Sequence, residues 1–315
     1  MSSLFTISIF QSALELGCIY ALVALALFIS FTILNIADLT TDGCFTLGCA
    51  VGAMVTLAGH PFLALFAALI SGALAGFVTA FLQTRLGVES ILAGIIVNTG
   101  LYTINIAVMG FSSIANLFGC DTIFSLGKDG FVNTIFGEWY KVAIVVVIVV
   151  IIAVILWWFL GTTLGMSIRA TGDNADMVRS SSINPNFTIT VGLCLANSLT
   201  GLSGALIAQY QKSADINIGT GMVTISLASL IIGQSLIGNK GSMLCRILGT
   251  ILGSILYRFI VAIALRLSVP AEALKLVSAI IVAVAIATPY VRRKLSLKRR
   301  ELANYRGNVK GEKHA

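Results

Sequence analysis

Charged residues are scarce in this chain, and histidine is almost missing from it. Of its 315 residues 10% are charged and two are histidine, whereas 57% are hydrophobic. A water-soluble domain of this length needs a largely polar exterior, which so few polar side chains cannot supply. The composition therefore excludes a soluble single-core protein and indicates that the lipid bilayer is the solvent.

Motifs for catalysis, metal binding and nucleotide binding are missing as well. The chain contains no G-x-x-x-x-G-K-[ST], H-E-x-x-H or G-x-S-x-G, and GNKGS at 238–242 lacks the spacing that holds phosphates. Its six cysteines form no C-x-x-C pair, so we interpret them as packing residues. We expect a protein that is not an enzyme, that binds no cofactor or metal itself, and that has no nucleic-acid partner.

The chain does contain long continuous apolar runs, which are typical of membrane-spanning helices rather than of alternating barrel strands. We predict an all-α integral membrane protein with about nine spans, within a range of eight to ten. The predicted spans are, approximately, Ile7–Leu34, Gly43–Gly59, Phe62–Gln83, Ile91–Met109, Val142–Leu160, Thr188–Ala208, Ile218–Ile237, Leu244–Leu265 and Ala273–Ala287.

The basic residues predict which end of the bundle faces the cytoplasm, because basic residues in short loops tend to stay there. With nine spans the basic positions fall on one side, and they are Arg85, Arg169, Arg179, Lys240, Arg246 and the tail 291–315. This places the C-terminus in the cytoplasm, and the N-terminus and the loop 110–140 outside. The first apolar run has no basic start and no cleavage signal, so we expect a retained helix. The tail either binds anionic lipid headgroups or only fixes the topology.

The two halves of the chain show a similar rhythm of spans. The same order of helices recurs in residues 7–110 and 188–290. It is a helix interrupted by polar residues, then a short glycine-rich helix, then two further helices. Because one span separates them, these repeats are predicted to cross the membrane in opposite directions, as in many transport proteins. We expect one transmembrane domain over 1–315, with a polar loop at 161–187 between the repeats.

The polar loop contains the pattern of a short surface helix within Leu164–Asn186. Asp173 is predicted to cap this helix and Asp176 to complement its N-terminal dipole. Asn184 and Pro185 are predicted to end it.

One side of this predicted helix is apolar. Ala175 and Val178, with Met177 nearby, form a small face that suits a groove on a partner protein. An ordinary cytoplasmic loop with positive-inside charges explains the same residues equally well.

Three stretches of the chain resemble the bacterial ATP-binding cassette (ABC) importer permeases of the branched-chain amino acid and ribose type. LGMSIRATGDNADMVRSSSINPN, with GLSGALIAQY after it, is similar to their cytoplasmic loop and next helix. Residues 16–53 and 230–294 are similar to their opening helices and their last helices. The sequences NIADLTTDG and ILYRFIVAIALRL resemble those of a permease subgroup associated with tryptophan- or tyrosine-type binding proteins.

The resemblance implies a type II-like importer permease with several partners. These are two copies of an ABC ATPase that carry ATP and Mg²⁺, an extracytoplasmic binding protein or lipoprotein, a second permease copy in a homodimer or else a similar permease, and membrane lipids. It also implies that the loop after the fifth span contacts the ATPase. The candidate coupling residues are Arg169, Gly172, Asp173, Asn174, Ala175, Asp176, Val178, Arg179 and Ser182.

Polar residues inside the spans are costly in lipid and are therefore candidates for the solute pathway. The candidates are Glu15, Asn35, Asp38, Asp42, Asn98, Asn105, Asn197 and Gln234. Each also has a structural explanation. Glu15 lies where it could reach external water, Asp42 is placed to cap the second helix, and interhelical hydrogen bonds explain the amides.

Together these features predict the permease subunit of an importer in the bacterial plasma membrane. It would move a small solute, such as an aromatic or branched-chain amino acid, by alternating access driven by a separate ATPase. Two other classes stay open at this point. One is an ion-coupled secondary transporter that uses Glu15, Asp38 or Asp42, and the other is a membrane enzyme, which the missing catalytic motifs disfavour.

Overall fold

Helices form nearly all of the regular structure in the computed structural model, which describes residues 7–131, 139–237, 242–266 and isolated positions from 276 to 287. The helices are α1 (Ile7–Leu27), α2 (Thr41–Leu57), α3 (Pro61–Arg85), α4 (Ser90–Val108), α5 (Ile123–Phe131), α6 (Tyr140–Gly161), α7 (Thr163–Asp173), α8 (Ala175–Ser180), α9 (Pro185–Gln211), α10 (Met222–Ile237) and α11 (Met243–Arg266). A π-helical segment, Phe28–Ile33, extends α1, and the strands are β1 (Ile114–Asn116) and β2 (Ser213–Asp215). The predicted all-α membrane class is confirmed.

Helices occupy eight of the nine predicted spans within the described part of the chain. Six of them are long and apolar enough to cross a membrane, namely α1 with the π segment, α3, α4, α6, α9 and α11. The ninth span, predicted at Ala273–Ala287, falls outside the described residues except for isolated positions. The count of nine therefore stays a prediction.

The helices α2 and α10 are too short to cross a bilayer alone. They contain 17 and 16 residues. At about 1.5 Å per residue they extend roughly 25 Å, less than the ~30 Å hydrocarbon core. The seventh span was predicted to begin at Ile218, which is wrong, because a turn through Gly221 (φ +88°) delays the start of α10 to Met222.

The helices α1 and α9 form the centre of the bundle, and α9 runs antiparallel to α3. Asn186 Nδ2 donates to the Thr84 carbonyl at one end of this pair, and Gln209 Nε2 donates to the Pro61 carbonyl at the other. Between these bonds, a Cβ on Gly72 would collide with the backbone of α9. The small residues of the sequence SGALAGF in α3 permit this close approach of the two helices.

The bundle has two recognisable ends, which we call the Arg85 end and the Glu15 end. Arg85 ends α3 next to the start of α9, and Tyr210 at the end of α9 bonds Glu15 near the start of α1. At the Glu15 end, β1 pairs antiparallel with β2. The main-chain bonds of this small sheet join the loop that follows α4 to the chain that follows α9.

The chain reverses direction after the π segment. Leu34 N–H bonds the Ile29 carbonyl and Ile36 N–H bonds the Ser30 carbonyl, which closes the wide helical turn. Asn35 then adopts a left-handed backbone (φ +56°), from which the chain turns back toward α2. A turn that breaks the helix therefore forms the junction between the first two spans.

Candidate functional site

The returning chain is anchored to the middle of α9 by a buried carboxylate. Asp38 is 3% exposed, and its Oδ2 accepts a hydrogen bond of 2.7 Å from Asn197 Nδ2. Its Oδ1 accepts from the Thr40 backbone N–H at 2.9 Å. The Thr40 hydroxyl shares a hydrogen bond of 2.9 Å with that of Thr79 on α3. These bonds hold the start of α2 at the depth of the middle of α9.

Next to this junction lies a polar cavity of about 210 Å³. It is bounded by the start of α2, by one face of α4 and by the connection from β2 to α10. The residues that line it are Asp42, Gly43, Thr46, Asn98, Thr99, Tyr102, Asn105, Ile216, Asn217, Gly219 and Thr220. Three predicted pathway residues, Asp42, Asn98 and Asn105, thus come together around one space.

Asp42 holds the start of α10 beside the cavity. Its Oδ2 accepts from the Gly221 backbone N–H at 3.0 Å, and its Oδ1 accepts from the Val223 N–H at 2.9 Å. A carboxylate at this position satisfies free helix donors and complements the helix dipole. The prediction that Asp42 caps the second helix is wrong, because its carboxylate bonds the N-terminus of α10 instead.

The two amides on α4 converge on the first turn of α2. Asn105 is 1% exposed, and its Nδ2 donates to the Gly43 carbonyl at 3.1 Å. Asn98 Oδ1 lies 2.5 Å from the place where a Cβ on Gly43 would stand. Glycine is needed here because any side chain would displace the Asn98 amide from the cavity wall.

The polar loop between α6 and α9 forms two short helices, and each has a side-chain cap. Thr162 Oγ1 accepts from the Gly165 N–H at the start of α7. Asn174 Oδ1 accepts from the N–H groups of Asp176 and Met177 at 3.0 Å each and so caps α8. The prediction that Asp173 caps this helix is wrong, since Asp173 is the last residue of α7 and the extended backbone (φ −160°) belongs to Asn174.

The side chains that α8 exposes are not the ones predicted to form its apolar face. Met177 is 68% exposed, but Val178 is 4% exposed and packs into the protein. Val178 was predicted as a coupling residue with its side chain toward a partner, and its burial corrects that orientation. The exposed candidates are Arg169, Asp173, Asn174, Asp176, Arg179 and Ser182, whereas Gly172 and Ala175 are half-buried.

The helix α7 contacts the two elements that lead to the junction. A Cβ on Gly172 would collide with the carbonyl of Ile33, the last residue of the π segment. The Thr171 hydroxyl shares a 2.7 Å hydrogen bond with the Thr188 hydroxyl on α9. A displacement of α7 would therefore act directly on the π segment and on α9.

A family model described as the permease component of branched-chain amino acid transport systems matches residues 9–287. The chain belongs to this permease family. The match covers the junction with its cavity and the helices α7 and α8, and it confirms the resemblance identified from the sequence.

Several curated proteins are similar to this permease over most of its length. The tyrosine transport system permease protein of Clostridioides difficile is 32% identical over 278 residues, which cover 88% of this chain and 90% of that protein. Protein RP368 of Rickettsia prowazekii is 30% identical over 89% of this chain and 98% of its own. The ribose import permease RbsC of Escherichia coli K12 is 28% identical over 71% and 67%, respectively. No solved structure matches.

Three candidate pathway residues of the permease lie away from the cavity. Glu15 is 3% exposed at the opposite side of the fold from Arg85, and its Oε2 accepts a 2.7 Å bond from the Tyr210 hydroxyl. Gln234 Nε2 donates to Thr32 Oγ1 at 2.9 Å, near the Arg85 end. Asn35 is exposed at the reversal of the chain. Asn197 and Asp38 support the junction and do not line the cavity.

Sequence reasoning missed part of the cavity wall, although a signal for it exists. Thr99 and Tyr102 were not predicted, yet Asn98, Thr99, Tyr102 and Asn105 follow helical spacing and form one polar stripe on α4. The residues 216–220 carry no comparable signal. Within the described ranges, no three His, Cys, Asp or Glu side chains come together as metal ligands.

Proposed function

We propose that this permease forms the membrane pathway of an ABC importer that moves an amino acid from an extracytoplasmic binding protein to the cytoplasm. One observation carries the proposal, namely that α2 and α10 both begin at the polar cavity and extend to opposite ends of the bundle. Transporters commonly place their solute sites where discontinuous helices begin near the bilayer midplane.

The opposite directions of α2 and α10 follow from their contacts. Along α2, Gly52 packs against Ala205, which lies close to the Glu15 end of α9. Along α10, Gln234 reaches Thr32, next to the contact between the π segment and α7. This arrangement supports the proposal of inverted repeats over residues 7–110 and 188–290, with the N-terminus outside and the basic tail in the cytoplasm.

The helices α7 and α8, residues 163–180, which we call the coupling segment, support the proposal that a separate ATPase drives transport. An ABC permease needs a cytoplasmic surface that receives motion, and the exposed residues of α7 and α8 offer one beside the basic Arg85 end. We propose that two ATPase copies, which carry ATP and Mg²⁺, contact Arg169, Asp173, Asn174 and Arg179, and that Gly172 passes the motion to the π segment.

A second permease copy would complete the pathway. Tyr102 is 52% exposed, and Thr99 beside it is exposed too, on a helix that lies at membrane depth. Polar side chains at this depth face protein or water rather than lipid. We therefore propose a homodimer in which the polar face of α4 is covered by the partner permease.

Relatives favour an amino acid as the solute. The tyrosine transport permease of Clostridioides difficile has a higher identity to this chain than the ribose permease of Escherichia coli, and it matches a larger part of the chain. An aromatic or branched-chain amino acid therefore fits better than a sugar.

Uptake into proteoliposomes tests the proposal. The permease would be reconstituted with a partner ATPase and a binding protein, with radiolabelled L-tyrosine and L-leucine as probes. We expect uptake only when ATP and both partners are present. Uptake by the permease alone, driven by a sodium or proton gradient, would instead support the secondary transporter that uses Glu15, Asp38 or Asp42.

A further inference from the structure

Three of the hydroxyl and amide side chains around the cavity have used donor hydrogens on backbone carbonyls. Thr46 Oγ1 donates to the Asp42 carbonyl at 3.1 Å, and Thr99 Oγ1 donates to the Ile95 carbonyl at 2.8 Å. Asn105 Nδ2 donates to the Gly43 carbonyl at 3.1 Å. These three side chains therefore present mainly oxygen lone pairs to whatever enters the cavity.

One of these oxygens is buried without a partner. Asn105 is 1% exposed, and its Oδ1 has no hydrogen bond within the described part of the chain. The bond from Nδ2 to the Gly43 carbonyl identifies which atom of this amide is the oxygen. A buried acceptor without a donor destabilises the fold, so its presence in the wall of a cavity indicates a ligand that donates.

Asp42 is the charged residue among those that line the cavity. Its two oxygens each accept one backbone N–H from the start of α10, which fixes the carboxylate and offsets part of its charge. A carboxylate has about four acceptor positions, so each oxygen keeps a lone pair for a further donor. The lining contains no lysine, arginine or histidine that would neutralise it.

From these groups, and on the basis of the proposed function, we infer that the cavity binds the protonated primary amine of the transported solute. Asp42 and Asn105 Oδ1 are its acceptors. An alkylammonium carries three donors and no acceptor, which matches the carboxylate of Asp42 and the unpartnered amide oxygen of Asn105. The volume of about 210 Å³ exceeds the ~150 Å³ cavity that admits benzene, so an amino acid fits. The permease thus adds its own selection for amines to that of the binding protein.

Charge-selective thiol modification tests this inference without any ATPase. Thr99→Cys would be introduced into the full-length permease in nanodiscs, with Cys120 and Cys245 replaced by alanine. Its reaction rates with 2-aminoethyl and 2-sulfonatoethyl methanethiosulfonate would be compared. Ser113→Cys, at an exposed position near β1, is the control for the intrinsic preference of each reagent.

We expect the ratio of cationic to anionic rates at Thr99→Cys to exceed the control ratio by about fivefold or more, as expected for one nearby charge. Asp42→Asn should return it to the control value, and Asn105→Asp should raise it. Ethylammonium chloride should slow the cationic reagent more than sodium chloride does at equal ionic strength.

Two results would overturn the inference. A ratio at Thr99→Cys that equals the control ratio, or that Asp42→Asn leaves unchanged, excludes the carboxylate as an amine acceptor. Equal slowing by sodium and ethylammonium would show a general cation surface. ATP-driven uptake that persists alongside either result would leave the proposed function standing, whereas uptake without ATP would refute that function alone.

Discussion

Asp38 joins the chain reversal to the centre of the bundle through its hydrogen bond with Asn197. Its carboxylate is buried at the chain reversal and accepts a hydrogen bond from the side-chain amide of Asn197. Breaking a buried charged hydrogen bond from one side leaves the other group without compensation, which costs far more than the bond contributes net.

Asn197→Ala should therefore lower the free energy of unfolding by about 2–4 kcal/mol. The matched control is Asn186→Ala, an exposed amide on the same helix that bonds the Thr84 carbonyl and whose loss should cost about 0.5 kcal/mol or less. Reversible unfolding in mixed micelles measures both variants. Equal losses would show that Asp38 does not depend on Asn197.

At the scale of elements, the contact between α7 and the π segment connects the coupling segment to the chain that leads to the cavity. The π segment leads through Asn35 to the junction at Asp38, and α7 touches its last carbonyl at Gly172. A π-helical turn inside a long helix is often found at a functional position.

Gly172→Ala should push α7 away from the Ile33 carbonyl, because the added Cβ has no room there. We expect ATP hydrolysis by the partner ATPase to continue while solute uptake falls several-fold. Gly161→Ala is the matched control, since a Cβ at the end of α6 meets nothing within 4 Å. Normal uptake by Gly172→Ala, or the same loss in both variants, would refute this route of coupling.

Local signals predicted the long helices well, but they did not predict the partners of single residues. The bounds of α3 were correct within two residues because Pro61 and Arg85 mark its ends. The role of Asp42 could not be predicted from the sequence, because its partners Gly221 and Val223 lie 179 and 181 positions further along the chain. Asp173 and Asn174 are both good caps by residue type, and only the backbone at Asn174 decides between them.

Whole-cell labelling can measure the orientation of the whole molecule in the membrane. Ser113 lies exposed near β1 at the Glu15 end, and Asp173 lies exposed in the coupling segment. In a background without Cys120 and Cys245, Ser113→Cys should react with a membrane-impermeant maleimide on intact cells. Asp173→Cys should react only after permeabilisation, and the reverse pattern would contradict the proposed orientation.

The cavity between α2, α4 and α10 is the centre of the proposed transport mechanism, because alternating access requires it to open to one side at a time. Thr220 is exposed in its wall, so Thr220→Cys reports that opening. The direct measurement is its rate of modification from outside, in permease reconstituted with its ATPase, with and without a non-hydrolysable ATP analogue. We predict that nucleotide changes this rate at least several-fold while the rate at Ser113→Cys stays constant. Equal rates in both states would contradict a solute pathway through this cavity.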